Sequence, residues 1–307
     1  MKEPGKTLVI GCEGFLGENF YNAYRKFYPD AIGTHYRSPD PARRMDLYHP
    51  DIAPLHLEKG EYSYALIAAA NTNLALCEQE KGLPFRCNVE GVLRLVESLI
   101  ALDIVPILFS TAYVFDGVEG NYHEQSQTCP INEYGKQKET VEKTIGKICG
   151  TNYLMIRSSK VFDLVKGSNT LIDQICSALI QQQRVRAAYD QIFCPLGLED
   201  LVGGVIALQT AGCRGIYNLC GSEVWSRLAL AEKIAGVLGV PSELIAPISL
   251  DEVQSSFRMP KRTNMCCEKF HNSVDFSVTS LSTYIKQLKN LYLPEEKHDD
   301  IREEVMG

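Results

Sequence analysis

The chain has 307 residues, of which 45% are hydrophobic, and its formal net charge is −7. The acidic balance argues against a nucleic-acid-binding surface, and the lack of any uninterrupted run of 18 apolar residues argues against a membrane span. Eleven cysteines without a CxxC pair, together with six scattered histidines, predict reduced, mostly buried thiols and no metal site. We therefore expect a soluble, cytoplasmic protein of about two domains.

Short apolar runs alternate with helical patterns along the chain. Strands are predicted at Thr7–Ile10, Ala31–Tyr36, Ala65–Ala69, Val105–Ser110, Tyr153–Arg157 and Ile216–Cys220. Helices are predicted from Phe15 to Tyr28, from Pro84 to Ile100, from Glu133, near Thr170–Gln183, near Asp200–Gln209, and from about Leu228 to Leu238 after a Ser226 cap. This alternation predicts an α/β fold with a doubly wound parallel sheet.

A glycine-rich turn follows the first predicted strand. The residues Gly11-Cys12-Glu13-Gly14-Phe15-Leu16-Gly17 separate that strand from the first helix, which is the context that a dinucleotide-binding turn requires. Gly11 permits the tight turn, Gly14 lets the backbone approach a pyrophosphate, and Gly17 allows close packing of helix and strand. Free amides at the helix start favour the phosphates, so we predict a Rossmann-type nucleotide site.

Tyr134 and Lys138 lie four residues apart, on one face of the helix predicted from Glu133. A neighbouring ammonium favours the phenolate, so we expect it to lower the pKa of the tyrosine from about 10. The hydroxyls of Ser110 and Thr111 follow a predicted strand and converge on the same edge of the sheet. Hydride transfer to a carbonyl carbon requires a proton on the oxygen, and these groups are suited to supply it.

Several ordered motifs resemble those of extended short-chain dehydrogenase/reductases, and more narrowly the dTDP-4-dehydrorhamnose reductase family of nucleotide-sugar reductases. The similarity spans about residues 6–290. Besides the glycine turn, it rests on Ala68-Ala69-Ala70-Asn71-Thr72-Asn73, Asn88-Val89-Glu90-Gly91, Ser110-Thr111-Ala112-Tyr113-Val114-Phe115-Asp116-Gly117, Pro130-Ile131-Asn132-Glu133-Tyr134-Gly135-Lys136 and Glu199-Asp200-Leu201.

The resemblance implies NADPH-dependent reduction of a 4-keto-6-deoxy nucleotide sugar. Thr111, with Ser110 as its substitute, would orient the carbonyl, Tyr134 would donate the proton, and Lys138 would hold the nicotinamide ribose. The residues expected to contact the cofactor are Gly11, Gly14, Phe15, Leu16, Gly17, Arg37, Ser38, Asp46, Leu47, Ala68, Ala69, Ala70, Asn88, Tyr134 and Lys138. Those expected to contact the substrate are Asn71, Thr72, Tyr113 and Lys160.

Two departures from the family pattern bear on the substrate. Relatives usually have Asp at the position of Ala112 and Trp at the position of Lys160. Exchange of a stacking ring for a flexible cation should change which sugar or nucleotide is held. The alternative is that Lys160 extends into solvent.

Arg37 lies 20 residues beyond Gly17, where an arginine accommodates the 2′-phosphate of NADP and a carboxylate would select NAD. No acidic residue precedes Asp40 in this stretch, with Arg43 and Arg44 as further cations nearby. We therefore predict NADPH as the cofactor, with NADH as the alternative.

The resemblance also admits other activities. Nucleotide-sugar dehydratases carry an Asp-Glu pair where this chain has Ala112 and Tyr113, and the GDP-fucose epimerase-reductase carries a cysteine where it has Tyr113, so dehydration and epimerisation are disfavoured. A function without catalysis stays open as the alternative, because the regulatory beta subunit of methionine adenosyltransferase resembles the same family. That subunit acts as a cofactor-binding partner without turnover.

The predicted organisation has two parts and a tail. Residues 1–160 and about 186–220 form the dinucleotide-binding domain, and residues 161–185 and 221–290 form a smaller α+β substrate-binding region. Residues 291–307 form a flexible acidic tail, with six acidic residues against two basic ones between 295 and 304. The sequence leaves the oligomeric state open, with a homodimer as one expected assembly.

Overall fold

The computed structural model describes residues 3–293 of the chain. Its strands, in chain order, are β1 (Thr7–Ile10), β2 (Gly33–Thr34), β3 (Tyr64–Ile67), β4 (Val105–Thr111), β5 (Leu154–Ser158), β6 (Val161–Phe162), β7 (Val185–Ala188), β8 (Ile192–Phe193), β9 (Leu196–Gly197), β10 (Gly215–Leu219), β11 (Trp225–Ser226) and β12 (Ile245–Ile248). Its α-helices are α1 (Phe15–Arg25), α2 (Leu74–Gln79), α3 (Gly82–Phe85), α4 (Val92–Ile100), α5 (Glu133–Cys149), α6 (Leu171–Ile180), α7 (Leu198–Thr210), α8 (Arg227–Leu238), α9 (Glu268–Ser273) and α10 (Leu281–Tyr292).

Six strands form a parallel sheet in the order β10-β5-β4-β3-β1-β2. This confirms the predicted doubly wound α/β fold. The chain passes from β1 to one neighbour, β2, and then returns to the other side of β1 as β3. Such a switch point opens a crevice at the carboxyl ends of the strands, where ligands bind in this class of fold.

The second strand is shorter than the predicted Ala31–Tyr36. Only Gly33 and Thr34 pair with β1, because β1 ends at Ile10, which is the partner of Thr34, and the chain then turns away at Gly11. Beyond this point His35 forms an isolated bridge with Arg44. The edge of the sheet next to the glycine turn is therefore built from a loop.

The crossover predicted as one helix from Pro84 to Ile100 contains a π-helical segment, Arg86–Gly91, between α3 and α4. Gly91 packs against the carbonyl oxygen of Leu47, and a Cβ atom there would overlap that oxygen. A π-helical turn inside an α-helix shifts the direction of the residues that it carries. In this chain it carries Asn88.

A second apolar core lies in the C-terminal half, where α6, α8 and α10 pack around β7. Strand β7 pairs with β12 and not with the six-stranded sheet, and its Val185 and Ala187 are buried in this core. The prediction grouped residues from about 186 onwards with the dinucleotide-binding domain. Conversely, Phe270 in α9 is buried against the large sheet. Helix α10 includes residues 291 and 292 of the predicted tail, and residues 294–307 lie outside the described residues.

No helix between residues 3 and 293 is long and apolar enough to cross a membrane. In the same part of the chain, no group of three or more His, Cys, Asp or Glu side chains is arranged to hold a metal ion. All eleven cysteines are unpaired.

Candidate active site

The glycine turn joins β1 to α1 with the geometry that its sequence predicts. Gly11 has a φ of +88°, which only glycine adopts without strain, and an added Cβ would lie 2.8 Å from the amide nitrogen of Ala69. Gly14 caps α1, and no atom lies closer than 3.6 Å to the position of an added Cβ. Gly17 is buried beneath the turn, where a Cβ would overlap the carbonyl oxygen of Gly11.

We expect Gly17→Ala to destabilise the protein and to weaken dinucleotide binding. The methyl group must push apart α1 and the turn, and overpacking of this kind costs about 1–3 kcal/mol. Gly236→Ala is a matched control, because Gly236 lies within α8 with open space around its Cβ position. Urea unfolding of both variants tests this, and equal stability would contradict the close packing at Gly17.

An open cleft of about 590 Å³ lies at the switch point between β1 and β3. Many of the predicted cofactor contacts line it, and so do Asn71 and Thr72, which were predicted to contact the substrate. The lining residues are Gly11, Glu13, Gly14, His35, Tyr36, Met45, Asp46, Leu47, Tyr48, Ala68, Ala69, Ala70, Asn71, Thr72, Asn73 and Cys87. Asn71 and Thr72 lie four and five residues beyond the end of β3, in the loop that lines the larger cleft.

Eight of the predicted cofactor contacts do not line this cleft, namely Phe15, Leu16, Gly17, Arg37, Ser38, Asn88, Tyr134 and Lys138. Phe15 lies on the outer side of the turn, where it lines a separate groove with residues of the C-terminal half. Leu16 packs into the core beneath the sheet. Arg37 is exposed, and the neighbouring Ser38 is buried and accepts a hydrogen bond from the amide of Asp40 at 3.2 Å.

Asn88 is a further predicted cofactor contact, but its amide group bonds to the protein. Its Oδ1 accepts from the backbone nitrogen of Asn71 at 2.7 Å, and its Nδ2 donates to the backbone oxygen of Asn71 and to Oε1 of Gln137, each at 2.8 Å. The side chain is buried. Asn88 therefore fixes the loop after β3 against α5 and acts as a positioning residue for the cleft wall.

Helix α5 carries Tyr134 and Lys138, as predicted. Asn132 caps it by accepting a hydrogen bond from the amide of Gly135 at 2.8 Å. Nζ of Lys138 donates to the backbone oxygen of Phe109 in β4 at 2.9 Å and lies 5.8 Å from the centre of the Tyr134 ring. The ammonium thus links α5 to the strand that ends at Thr111.

The expectation that Lys138 lowers the pKa of Tyr134 is wrong. Burial raises the pKa of Tyr134 above its ordinary value, and the neighbouring Cys77 and Tyr113 add to the rise. Burial also lowers the pKa of Lys138 to about 8. The ammonium is bonded to a backbone oxygen beside the ring, so loss of hydration dominates for both groups. Tyr134 is therefore fully protonated at neutral pH, the state that a proton donor requires.

A buried ion pair joins helix α5 to strand β5. Nη2 of Arg157 in β5 donates to Oε2 of Glu142 at 2.6 Å, and Nε donates to Oε1 at 3.0 Å, with both side chains only 4% exposed. The hydroxyl of Ser110 also donates to Oε1 of Glu142. Ser110 is therefore committed to a structural contact and does not substitute for Thr111 at the carbonyl.

A second, smaller cavity of about 170 Å³ adjoins the cleft, since Asn73 lines the cleft and the next residue, Leu74, lines the cavity. The structure brings Thr111, Tyr113, Tyr134 and Lys160 to its walls. Ala112, one of the two departures from the family pattern, also lines it. The remaining lining residues carry no signal in the sequence; they are Leu74, Ser158, Ser159, Leu171, Gln191, Phe193, Arg227 and Thr263. Gln191 and Arg227 come from distant segments joined by the β8–β11 pair, and no local motif marks them.

Two relatives match most of the chain. A dTDP-4-dehydrorhamnose reductase from Sinorhizobium fredii is 26% identical over 67% of this chain and 72% of its own length. Methionine adenosyltransferase 2 subunit beta from Rattus norvegicus is 23% identical over 86% of this chain and 81% of its own length.

A solved structure has the same fold. The crystal structure of dTDP-4-dehydrorhamnose reductase from Bacillus anthracis in complex with NADP superposes with a TM-score of 0.81 at 20% identity, covering 94% of this chain and 99% of that one. The family described as the RmlD substrate binding domain matches residues 5–293. The chain therefore belongs to the RmlD substrate-binding domain family, as the resemblance of its motifs predicted.

Proposed function

We propose that this protein is an NADPH-dependent oxidoreductase that reduces the keto group of a 4-keto-6-deoxy nucleotide sugar. One observation carries the proposal. Thr111 and Tyr134 line a single cavity that adjoins the glycine-turn cleft, and Lys138 lies beside the Tyr134 ring. Membership of the RmlD substrate-binding domain family and the similarity to a dTDP-4-dehydrorhamnose reductase support it.

The cleft suits a dinucleotide. The backbone at Gly14 is open, and the free amides expected at the start of α1 favour a pyrophosphate there. When bound there, the reduced nicotinamide supplies a hydride to a carbonyl carbon. The NADP complex of the Bacillus anthracis structure supports the choice of cofactor class.

The residues of the cavity then provide the proton. The hydroxyl of Thr111 orients the carbonyl oxygen, and the hydroxyl of Tyr134 donates its proton to that oxygen as negative charge develops. Burial raises the pKa of Tyr134, so the phenol carries its proton at neutral pH. Lys138, whose ammonium lies beside the Tyr134 ring, would hold the nicotinamide ribose, as the resemblance implies.

A preference for NADPH is proposed to depend on Arg37. Arg37 is exposed and follows His35 and Tyr36, which line the cleft, and its side chain would turn towards a 2′-phosphate. Loss of a charge-assisted hydrogen bond costs about 1.5–3 kcal/mol. Arg37→Ala should therefore weaken NADPH binding by about ten- to a hundredfold and leave NADH binding nearly unchanged.

The matched control is Arg25→Ala, which removes an exposed arginine from the far end of α1. Its affinities for both cofactors should equal those of the wild type. Binding is measured by fluorescence titration of the reduced cofactors. A wild-type protein that prefers NADH would contradict this use of Arg37.

The lowered pKa of Lys138 predicts a pH dependence. Its side chain is a cation below about pH 8 and neutral above it. NADPH affinity should fall as the pH rises through this value, because the charge that holds the ribose region is lost. Lys138→Met should bind weakly at every pH, and Lys147→Met, at an exposed site on α5, should keep the wild-type profile. An affinity independent of pH between 7 and 9 would exclude the role.

A binding subunit without turnover is the second candidate, favoured by the extended match to methionine adenosyltransferase 2 subunit beta. Purified protein is mixed with NADPH and a panel of 4-keto-6-deoxy nucleotide sugars, and cofactor oxidation is followed by absorbance. We expect oxidation with at least one sugar. Tight NADPH binding, no oxidation with any sugar and co-purification of a partner enzyme would favour the second candidate.

A further inference from the structure

The lining of the cavity beside Tyr134 contains two chemically different groups. Thr111 and Tyr134 carry the proposed chemistry. Lys160, an exposed residue, and Arg227 supply two cations, and the part of the lining around them is called the basic wall. It is assembled over a long sequence separation, because the β8–β11 pair lets the amide of Arg227 donate to the backbone oxygen of Gln191 at 3.0 Å.

The positive charge of this wall is not balanced by the protein. None of the residues that line the cavity, all in the described part of the chain, is acidic. Arg227 and Lys160 repel each other, whereas the phenol of Tyr113 favours the charged form of Arg227. Loss of hydration lowers the pKa of both cations, and their mutual repulsion lowers that of Lys160 further.

Three buried polar atoms at this wall have no hydrogen-bond partner within the described protein. They are Nε of Arg227, Oε1 of Gln191 and Oγ of Ser159. The side chains of Gln191 and Ser159 are each only 8% exposed. Buried polar groups are nearly always hydrogen-bonded in folded proteins, and leaving one unpaired is costly. Three such atoms around one cavity indicate a polar ligand that completes them.

We propose that Lys160 and Arg227 form an oxyanion subsite, which holds a phosphate or carboxylate attached directly to the ring whose carbonyl group meets Thr111 and Tyr134. Ser159 and Gln191 bind hydroxyl groups of the same ring. The inference deepens the proposed function and rests on it for the identity of the reacting carbonyl. The size of the cavity, about 170 Å³, requires that the charged group lie close to the carbonyl.

An oxyanion balances the positive charges of Lys160 and Arg227 and accepts hydrogen bonds from their side chains. It offers acceptors to the planar donor fork of Arg227, whose Nε lacks a partner, and to the ammonium of Lys160. A neutral ring would leave the two cations without an anionic partner. This wall therefore favours a charged substrate over its neutral analogue.

Trp225 in β11 is the single tryptophan of the chain and lies two residues before Arg227. We expect its fluorescence to report binding at this wall. The protein is first saturated with NADP⁺, so that the larger cleft is filled. It is then titrated with thymidine diphosphate and uridine diphosphate as phosphate probes, with glucuronate as a carboxylate probe, and with glucose as the neutral control. The phosphate and carboxylate arms distinguish the two sources of the oxyanion.

We expect at least one anionic probe to bind at least ten times more tightly than glucose. Lys160→Met and Arg227→Met should each weaken that probe by about ten- to a hundredfold, while Arg227→Lys retains part of the affinity. Arg184→Gln, which removes an exposed arginine outside the cavity, should bind as the wild type does. Thermal unfolding of each variant separates loss of the subsite from loss of the fold.

Equal affinities for anionic and neutral probes would overturn the inference, as would unchanged anion binding in both Met variants. The outcome is separable from the proposed function. Anion binding without NADPH oxidation leaves the subsite in place and removes the reductase activity. Oxidation of NADPH with unchanged kinetics in both Met variants keeps the reductase and removes the subsite.

Discussion

Tyr134→Phe is expected to lower turnover at least about a hundredfold while NADPH binding is retained. The substitution deletes a proton donor whose contribution is typically 10²–10⁴-fold. The ring that lies beside Lys138 stays in place, and the hydroxyl has no hydrogen-bond partner among the described residues, so packing should survive. Steady-state kinetics with the best sugar of the panel, together with NADPH titration, measures both effects.

The matched control is Tyr189→Phe, which removes the hydroxyl of a tyrosine that is 54% exposed and outside the cavity. It should turn over at the wild-type rate. Near-normal turnover of the Tyr134→Phe variant would remove this residue from the chemistry. Loss of cofactor binding in that variant would instead indicate a structural role.

Glu142→Gln is expected to destabilise the protein by about 3–5 kcal/mol, because it leaves the guanidinium of Arg157 buried without its charge partner. The same carboxylate accepts from Ser110, so the loss also loosens α5 against β4. Urea unfolding at neutral pH measures the change in the free energy of unfolding.

Two further variants make this prediction specific. Glu90→Gln breaks an exposed pair with Arg94, in which both side chains are about half exposed, and should cost less than about 0.5 kcal/mol. The double variant Glu142→Gln with Arg157→Met removes both buried charges and should recover part of the lost stability. Similar stabilities for Glu142→Gln and Glu90→Gln would contradict the importance of the buried pair.

Local patterns predicted most of the architecture. The apolar runs located all six strands of the large sheet, and the glycine turn was predicted with its conformation, because backbone freedom at Gly11 and close packing at Gly17 depend on neighbours in sequence. The cap at Ser226 and the start of α5 at Glu133 were also correct, since caps are local hydrogen bonds.

Contacts between distant segments were not predictable in the same way. The pairing of β7 with β12 and the wall formed by Gln191 and Arg227 depend on how the C-terminal half folds back over the sheet. The direction of the Tyr134 pKa shift was wrong because spacing on a helix does not report burial. Likewise, the motif containing Asn88 suggested a ligand contact, but a π-helical segment turns its amide towards Asn71.

The most direct test of the central claim follows hydride from the cofactor to the sugar. NADPH deuterated at the transferred position is incubated with the purified protein and the active 4-keto-6-deoxy nucleotide sugar, and the product is examined by mass spectrometry and NMR. We expect deuterium on the former carbonyl carbon in the wild type and almost none in the Tyr134→Phe variant over the same time. Product without deuterium, or no product from any sugar of the panel despite saturating NADPH, would contradict it.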